Sequence, residues 1–110
     1  MIKVIIYRAG DGQINGFKVT GHSGYDTHGK DIVCSAVSVL AQTALLGLLK
    51  VAEAEVSYKI DEGYLKCNLV SAGSERQQAI CSAILETMHE GLKSIKESYI
   101  KYIDIVEEEV

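Results

Sequence analysis

The sequence predicts an α+β fold, a five-stranded and mostly antiparallel sheet with two helices, in the order β-β-α-β-β-α-β. Short β-branched runs come in neighbouring pairs, at 1–20 and again at 55–70, each pair joined by a turn rich in Gly and Asp. Two longer stretches, 32–50 and the one that follows Ser74, carry apolar residues at helical spacing instead. Hairpins with helices set between them define α+β, with both helices packed on the sheet.

Residues 1–7 are apolar on both faces, Ile2, Val4 and Ile6 against Ile5 and Tyr7, which suits an interior strand. After the turn Arg8-Ala9-Gly10-Asp11-Gly12-Gln13, residues 14–20 alternate and complete a hairpin whose loop is longer than two residues. Asp31 follows Gly29-Lys30 and precedes the apolar run, the place of a helix N-cap. The helix at 32–50 is apolar nearly all round and is expected to be covered on most sides. Ser35, Ser38 and Gln42 draw one narrow polar stripe along it. Residues 55–60 and 64–70 form the second hairpin around Asp61-Glu62-Gly63. Ser74 with Gln77 is a capping-box pair, opening an amphipathic helix striped by Ile80, Ile84, Met88, Leu92 and Ile95. His89 lies off that stripe beside Glu90 and is expected to be solvated. Residues 99–106 form the last strand, and Glu107-Glu108-Glu109 a frayed terminus.

One domain spans residues 1–110, long enough to enclose a core without staples. The net charge of −4 and the absence of any Lys/Arg cluster argue against a nucleic-acid partner as the main one. Polar residues interrupt the apolar run at 32–51, which marks a buried helix and not a membrane span. Cys34, Cys67 and Cys81 are odd in number and widely spaced, with no Cys-x-x-Cys pair. They are expected as reduced thiols in a cytoplasmic protein, with Cys67 and Cys81 in the core.

The chemistry concentrates in residues 21–34, a polar loop punctuated by Gly21, Gly24 and Gly29 that runs into the first helix. With Asp31 as the N-cap, Cys34 falls in the first helical turn, where free backbone N–H groups and the helix dipole favour a thiolate. The same N–H groups are candidate donors to an oxyanion. An ionised Asp31 acts in the opposite sense on the thiolate. His22 ends a strand, with ample chain to bring its imidazole beside the sulfur as a general base. His28 is a rival base in mid-loop. The glycines permit a mobile loop that orders over a substrate.

Other readings stay open on the residues alone. The thiol and the imidazole are structural, or His22, Asp26, His28 and Cys34 are metal ligands, although no pair among them has strong zinc spacing. A phosphatase loop is excluded, since Ser35-Ala36-Val37-Ser38 follows the cysteine with no arginine. Two non-catalytic alternatives are a redox-sensing or regulatory dimer module using Cys34 as a reactive thiol, and a structural dimerisation domain.

Taken together, Gly21-His22-Ser23-Gly24-Tyr25, then Gly29-Lys30-Asp31-Ile32-Val33-Cys34, then Ala36-Val37-Ser38, resemble the signature of the ribosomal-processing cysteine protease family, Prp. Ser35 stands where the family commonly has alanine, a near-isosteric departure. The resemblance covers the whole chain and implies a bacterial, Firmicutes-like endopeptidase of the cytoplasm, homodimeric and without cofactor or metal. Its implied substrate is the large-subunit ribosomal protein numbered twenty-seven, from which it removes an N-terminal extension. The resemblance makes Cys34 the nucleophile and His22 the base of a dyad. It gives Gly21, Gly24, Tyr25, Asp31 and Ser38 supporting or substrate-binding roles.

Overall fold

The computed structural model describes residues 1–27 and 29–110. Among them the order is β1 (Ile2–Arg8), β2 (Ile14–Thr20), α1 (Ile32–Leu46), β3 (Glu55–Asp61), β4 (Tyr64–Ser71), α2 (Glu75–Ser98) and β5 (Ile103–Glu109). A π-helical turn, Gly47–Val51, continues α1. The strands lie side by side in the order β3-β4-β2-β1-β5. Three of the four pairings are antiparallel, and only β1 with β5 is parallel. The fold is therefore the α+β arrangement expected, with one parallel pair.

Alternation along the strands sends Ile2, Val4 and Ile6 of β1, Phe17 of β2, Leu65 and Cys67 of β4 and Ile103 of β5 to one face. There they meet Val33, Val37, Ala41 and Leu45 of α1 and Cys81, Leu85, Met88 and Leu92 of α2. Burial pushes the Cys67 thiol up to about 12 and raises that of Cys81 as well, so both are inert core groups. The helices pack closely through glycine. A Cβ at Gly91 would stand 3.0 Å from Leu40, and one at Gly47 would stand 3.1 Å from Ile84.

Four expectations need correction. The first helix is not covered on most sides: Val39, Leu46 and Val51 are 63%, 51% and 68% exposed. The sheet and α2 occupy one side of α1, and an apolar sequence does not supply a second layer by itself. Residues 107–109 are not frayed. They extend β5 alongside the end of β1, where Arg8 Nε meets Glu107 at 2.7 Å and the Val110 amide donates to the Arg8 carbonyl at 2.9 Å. The strand accordingly begins at Ile103, four residues later than expected, because α2 runs on to Ser98.

His89 is the fourth. It is 6% exposed, with Nδ1 3.5 Å from Arg8 Nη2, beneath a guanidinium that also holds Glu86 at 2.8 Å. Burial lowers its pKa, as do the charges of Lys93 and Arg8, while Glu107 and Glu86 act in the opposite sense. A histidine held neutral by the fold contributes stability that is full above about pH 6.5 and is lost as pH falls through its lowered native value. Melting temperatures recorded between roughly pH 7.5 and 5 should fall on acidification. In His89→Gln that slope should flatten, and an unchanged slope would contradict the assignment.

Candidate active site

The site begins with one carboxylate. Asp31 is the N-cap of α1, its Oδ1 accepting the Cys34 amide at 2.9 Å. Its other oxygen faces the preceding loop, where it accepts the Ser23 hydroxyl and the amides of Tyr25 at 3.1 Å and Asp26 at 3.4 Å. Burial alone would raise this acid. The Ser23 hydroxyl and the backbone N–H groups of Cys34, Asp26 and Tyr25 outweigh it and bring the pKa down to about 2. Asp31 is thus a buried anion whose charge is spread over four donors. The Cys34 amide, a candidate oxyanion donor on sequence grounds, is taken by it.

Cys34 sits half-buried in the first turn as expected. Its sulfur accepts the Ser23 amide at 3.2 Å. Ser23 is itself buried, and its Oγ also receives the Tyr25 amide at 3.1 Å. Ser23 was not among the expected site residues. It follows the histidine directly, and only its buried position reveals that it joins loop, cap and sulfur.

His22 is carried by the end of β2. Gly21 has φ of +87°, and any Cβ there would come 2.7 Å from the Met1 carbonyl oxygen, so the turn into His22 needs glycine. The Gly21 amide donates to the Gly63 carbonyl at 2.9 Å, tying the turn between β3 and β4 to the histidine. Gly63 lies against the imidazole itself. A Cβ at this residue would stand 2.9 Å from His22 Nε2. No local pattern connects positions 63 and 22; the contact exists because β4 pairs with β2, placing Tyr64 beside Thr20.

His22 and Cys34 open onto one cleft of about 720 Å³ between the loop, α1 and the β3–β4 turn. Gly21, Gly24, Asp31 and Ser38 also line it, with Ile60 of β3 and Gly63 of the turn that follows. The polar stripe of α1 faces this space, where Ser38 Oγ accepts Gln42 Nε2 at 2.7 Å. Tyr25 is placed differently. It is outside the cleft lining, its ring set edge-on to Tyr99 at 5.5 Å and Tyr102 at 5.2 Å, so it anchors the loop to the segment before β5. His28, the rival base and candidate ligand, lies outside the described residues. Among the described residues no group of three or more His, Cys, Asp or Glu side chains is placed to hold a metal ion. A thiol and an imidazole facing a cleft of this size can perform acyl transfer on an extended chain.

Comparison with known proteins bears on that chemistry directly. The ribosomal processing cysteine protease Prp of Bacillus subtilis (strain 168) is 28% identical over 101 residues, 90% of this chain and 90% of that one. The ribosomal processing protease Prp of S. aureus, solved with a covalently linked product peptide, has a TM-score of 0.88 at 23% identity, covering 98% of this chain and all of that one. A Streptococcus mutans protein has a TM-score of 0.82 at 25% identity, covering 100% of this chain and 96% of its own. The family model of cysteine protease Prp matches residues 1–104, a span that contains every wall of the cleft. The chain belongs to that family and is a cysteine protease.

Proposed function

We propose that this protease removes the N-terminal extension of the large-subunit ribosomal protein numbered twenty-seven, with Cys34 as nucleophile and His22 as base. The observation that carries the reading is the cleft shared by a loop-held imidazole and a first-turn thiol whose sulfur receives the Ser23 amide. In the first step His22 takes the thiol proton and the sulfur attacks the scissile carbonyl carbon. The carbon–nitrogen bond breaks, the imidazolium protonates the departing amine, and a thioester remains on Cys34. Water, deprotonated by His22, then cleaves the thioester, releasing the extension as a carboxylate and restoring the thiol. Asp31 and Ser23 hold the sulfur and the loop and take no proton.

Incubating the protein with the extended ribosomal protein and reading masses tests the assignment. Expected are one cut and, after rapid acid quench, an acyl adduct on the Cys34 peptide. An uncut substrate, or an adduct elsewhere, would sink it. Comparing His22→Ala with His28→Ala in the same assay assigns the base, which is His22 if only the first abolishes turnover.

Gly63 adds a second expectation. Alanine there places a methyl group against the imidazole, and it also carries a φ of +64°, which strains the backbone by about 1–2 kcal/mol. The ring, as the free end of a side chain, is what yields. Gly63→Ala should lower kcat at least roughly tenfold with KM nearly unchanged, because a displaced base affects the transition state more than ground-state binding. A rise in KM alone would argue against this.

The exposed residues Val39, which also lines the cleft, Leu46 and Val51 support a homodimer that covers this exposed side of α1. On this reading Val39→Lys with Leu46→Lys gives a monomer by light scattering, and an unaltered mass contradicts it. A cytoplasmic location follows from the same proposal, since the substrate is a ribosomal protein.

A further inference from the structure

The face of the sheet turned away from the helices carries a basic row that is invisible in the linear sequence. Lys59 of β3 pairs with Lys66 of β4, and Lys66 pairs with Lys18 of β2, so three lysines stand directly opposite one another across three strands. Their neighbours Phe17, Leu65 and Cys67 are buried in the core, which fixes the lysines on the opposite face. Lys3 of β1 lies on that face too, two positions along from Ile5, which pairs with Lys18.

Like charges directly opposite in a sheet are destabilising. Among the described residues no ion pair relieves Lys18, Lys59 or Lys66. What stands near them is aromatic: Lys66 Nζ is 5.9 Å from the Tyr7 ring centroid, and Lys59 Nζ is 6.0 Å from that of Tyr64. The acidic residues of this face, Asp61, Asp104 and Glu108, belong to the edge strands β3 and β5. A chain with a net charge of −4 has thus set Lys18 and Lys66 on the inner strands of one face, with Lys59 beside them on the edge strand β3.

We infer that this face binds single-stranded nucleic acid, its phosphates on the lysine row and its bases against the tyrosines. Charge complementarity selects a polyanion, and a second copy of the same face would oppose lysine to lysine. The tyrosines favour a single strand over a duplex or an acidic protein, because only unpaired bases offer a π-face to a sheet. Lys18, Lys59, Lys66 and Tyr7 lie outside the cleft lining, while Tyr64 borders both surfaces, and the inference does not depend on the protease reading.

Fluorescence anisotropy of a labelled oligouridylate of about 16 nucleotides, in roughly 50 mM salt, provides the test. Binding should weaken as salt is added. In Lys18→Gln with Lys66→Gln it should fall at least about tenfold, with the slope of log K against log salt reduced by about 0.7 for each lysine removed. Peptide cleavage by the double variant at the wild-type rate would show that the fold is intact. Tyr7→Leu should weaken binding with no change in salt slope, since it removes stacking alone. The inference is overturned if the wild type does not bind, if the lysine variant binds as the wild type does, or if polyglutamate binds as tightly as the oligonucleotide, which would make the occupant an acidic protein.

Discussion

Cys34→Ala abolishes turnover and leaves the protein as stable as before. Removing a nucleophile that acts as one unit with its base costs about a millionfold in rate, which puts residual cleavage below detection. Folding loses little, because the half-buried sulfur accepts one hydrogen bond, from the Ser23 amide, and methyl replaces thiol with a small change in volume. A melting temperature within a few degrees of wild type is expected, equivalent to less than about 1 kcal/mol. Measurable cleavage by this variant would remove Cys34 from the chemistry, and a large fall in melting temperature would make the activity loss uninterpretable.

Asp31→Ala, by contrast, loses both. Deleting an N-cap costs about 0.5–2 kcal/mol. Here the same deletion leaves the buried Ser23 hydroxyl and the Asp26 amide without their acceptor, and the Tyr25 amide with Ser23 Oγ alone, at about 1–3 kcal/mol for each group that neither water nor another acceptor reaches. A total of at least about 3 kcal/mol corresponds to a fall of roughly 12–20 °C in Tm. Cleavage should drop at least about a hundredfold, since the loop that carries His22 and Ser23 is no longer tied to the helix that carries Cys34. The pH dependence has a definite sign. The native pKa near 2 lies below the ordinary carboxylate value, so this stabilisation is present above about pH 4 and is lost as pH falls toward 2. Urea titrations of wild type should show that loss, and Asp31→Asn should show much less of it. Equal acid sensitivity in the two proteins would contradict the role given to the carboxylate.

Much of this site was legible because its parts are local. Asp31 and Cys34 are three residues apart, and a cap followed by an apolar run fixes their relation without any tertiary information. The three loop glycines all adopt positive φ, as residues that interrupt a polar loop often do. Ser23 and Gly63 were not legible, for different reasons. Ser23 acts through burial, which composition does not report for a serine in a loop. Gly63 acts across a strand pairing whose partner is set only when the sheet forms. The same distinction explains the fold. Hairpins and caps follow from adjacent residues, whereas β5 was placed too early because α2 continues through Lys96 and Ser98 without a breaker. His89 was misjudged because its neighbour Glu90 is exposed, while the side chain next to it in sequence points beneath Arg8.

The parallel pairing of β1 with β5 has a consequence for the history of each molecule. Arg8 and Glu107, whose side chains meet across that pairing, are 99 positions apart. A nascent chain therefore holds its first strand with one partner only until synthesis has passed β5. Contacts of such long range slow folding, and an unpaired strand edge is open to other chains in the meantime. The chain can form its helices and both hairpins early, yet the sheet stays incomplete until β5 pairs with β1. Peptide-bond cleavage should accordingly be absent from chains synthesised only through α2 and appear once β5 has paired with β1.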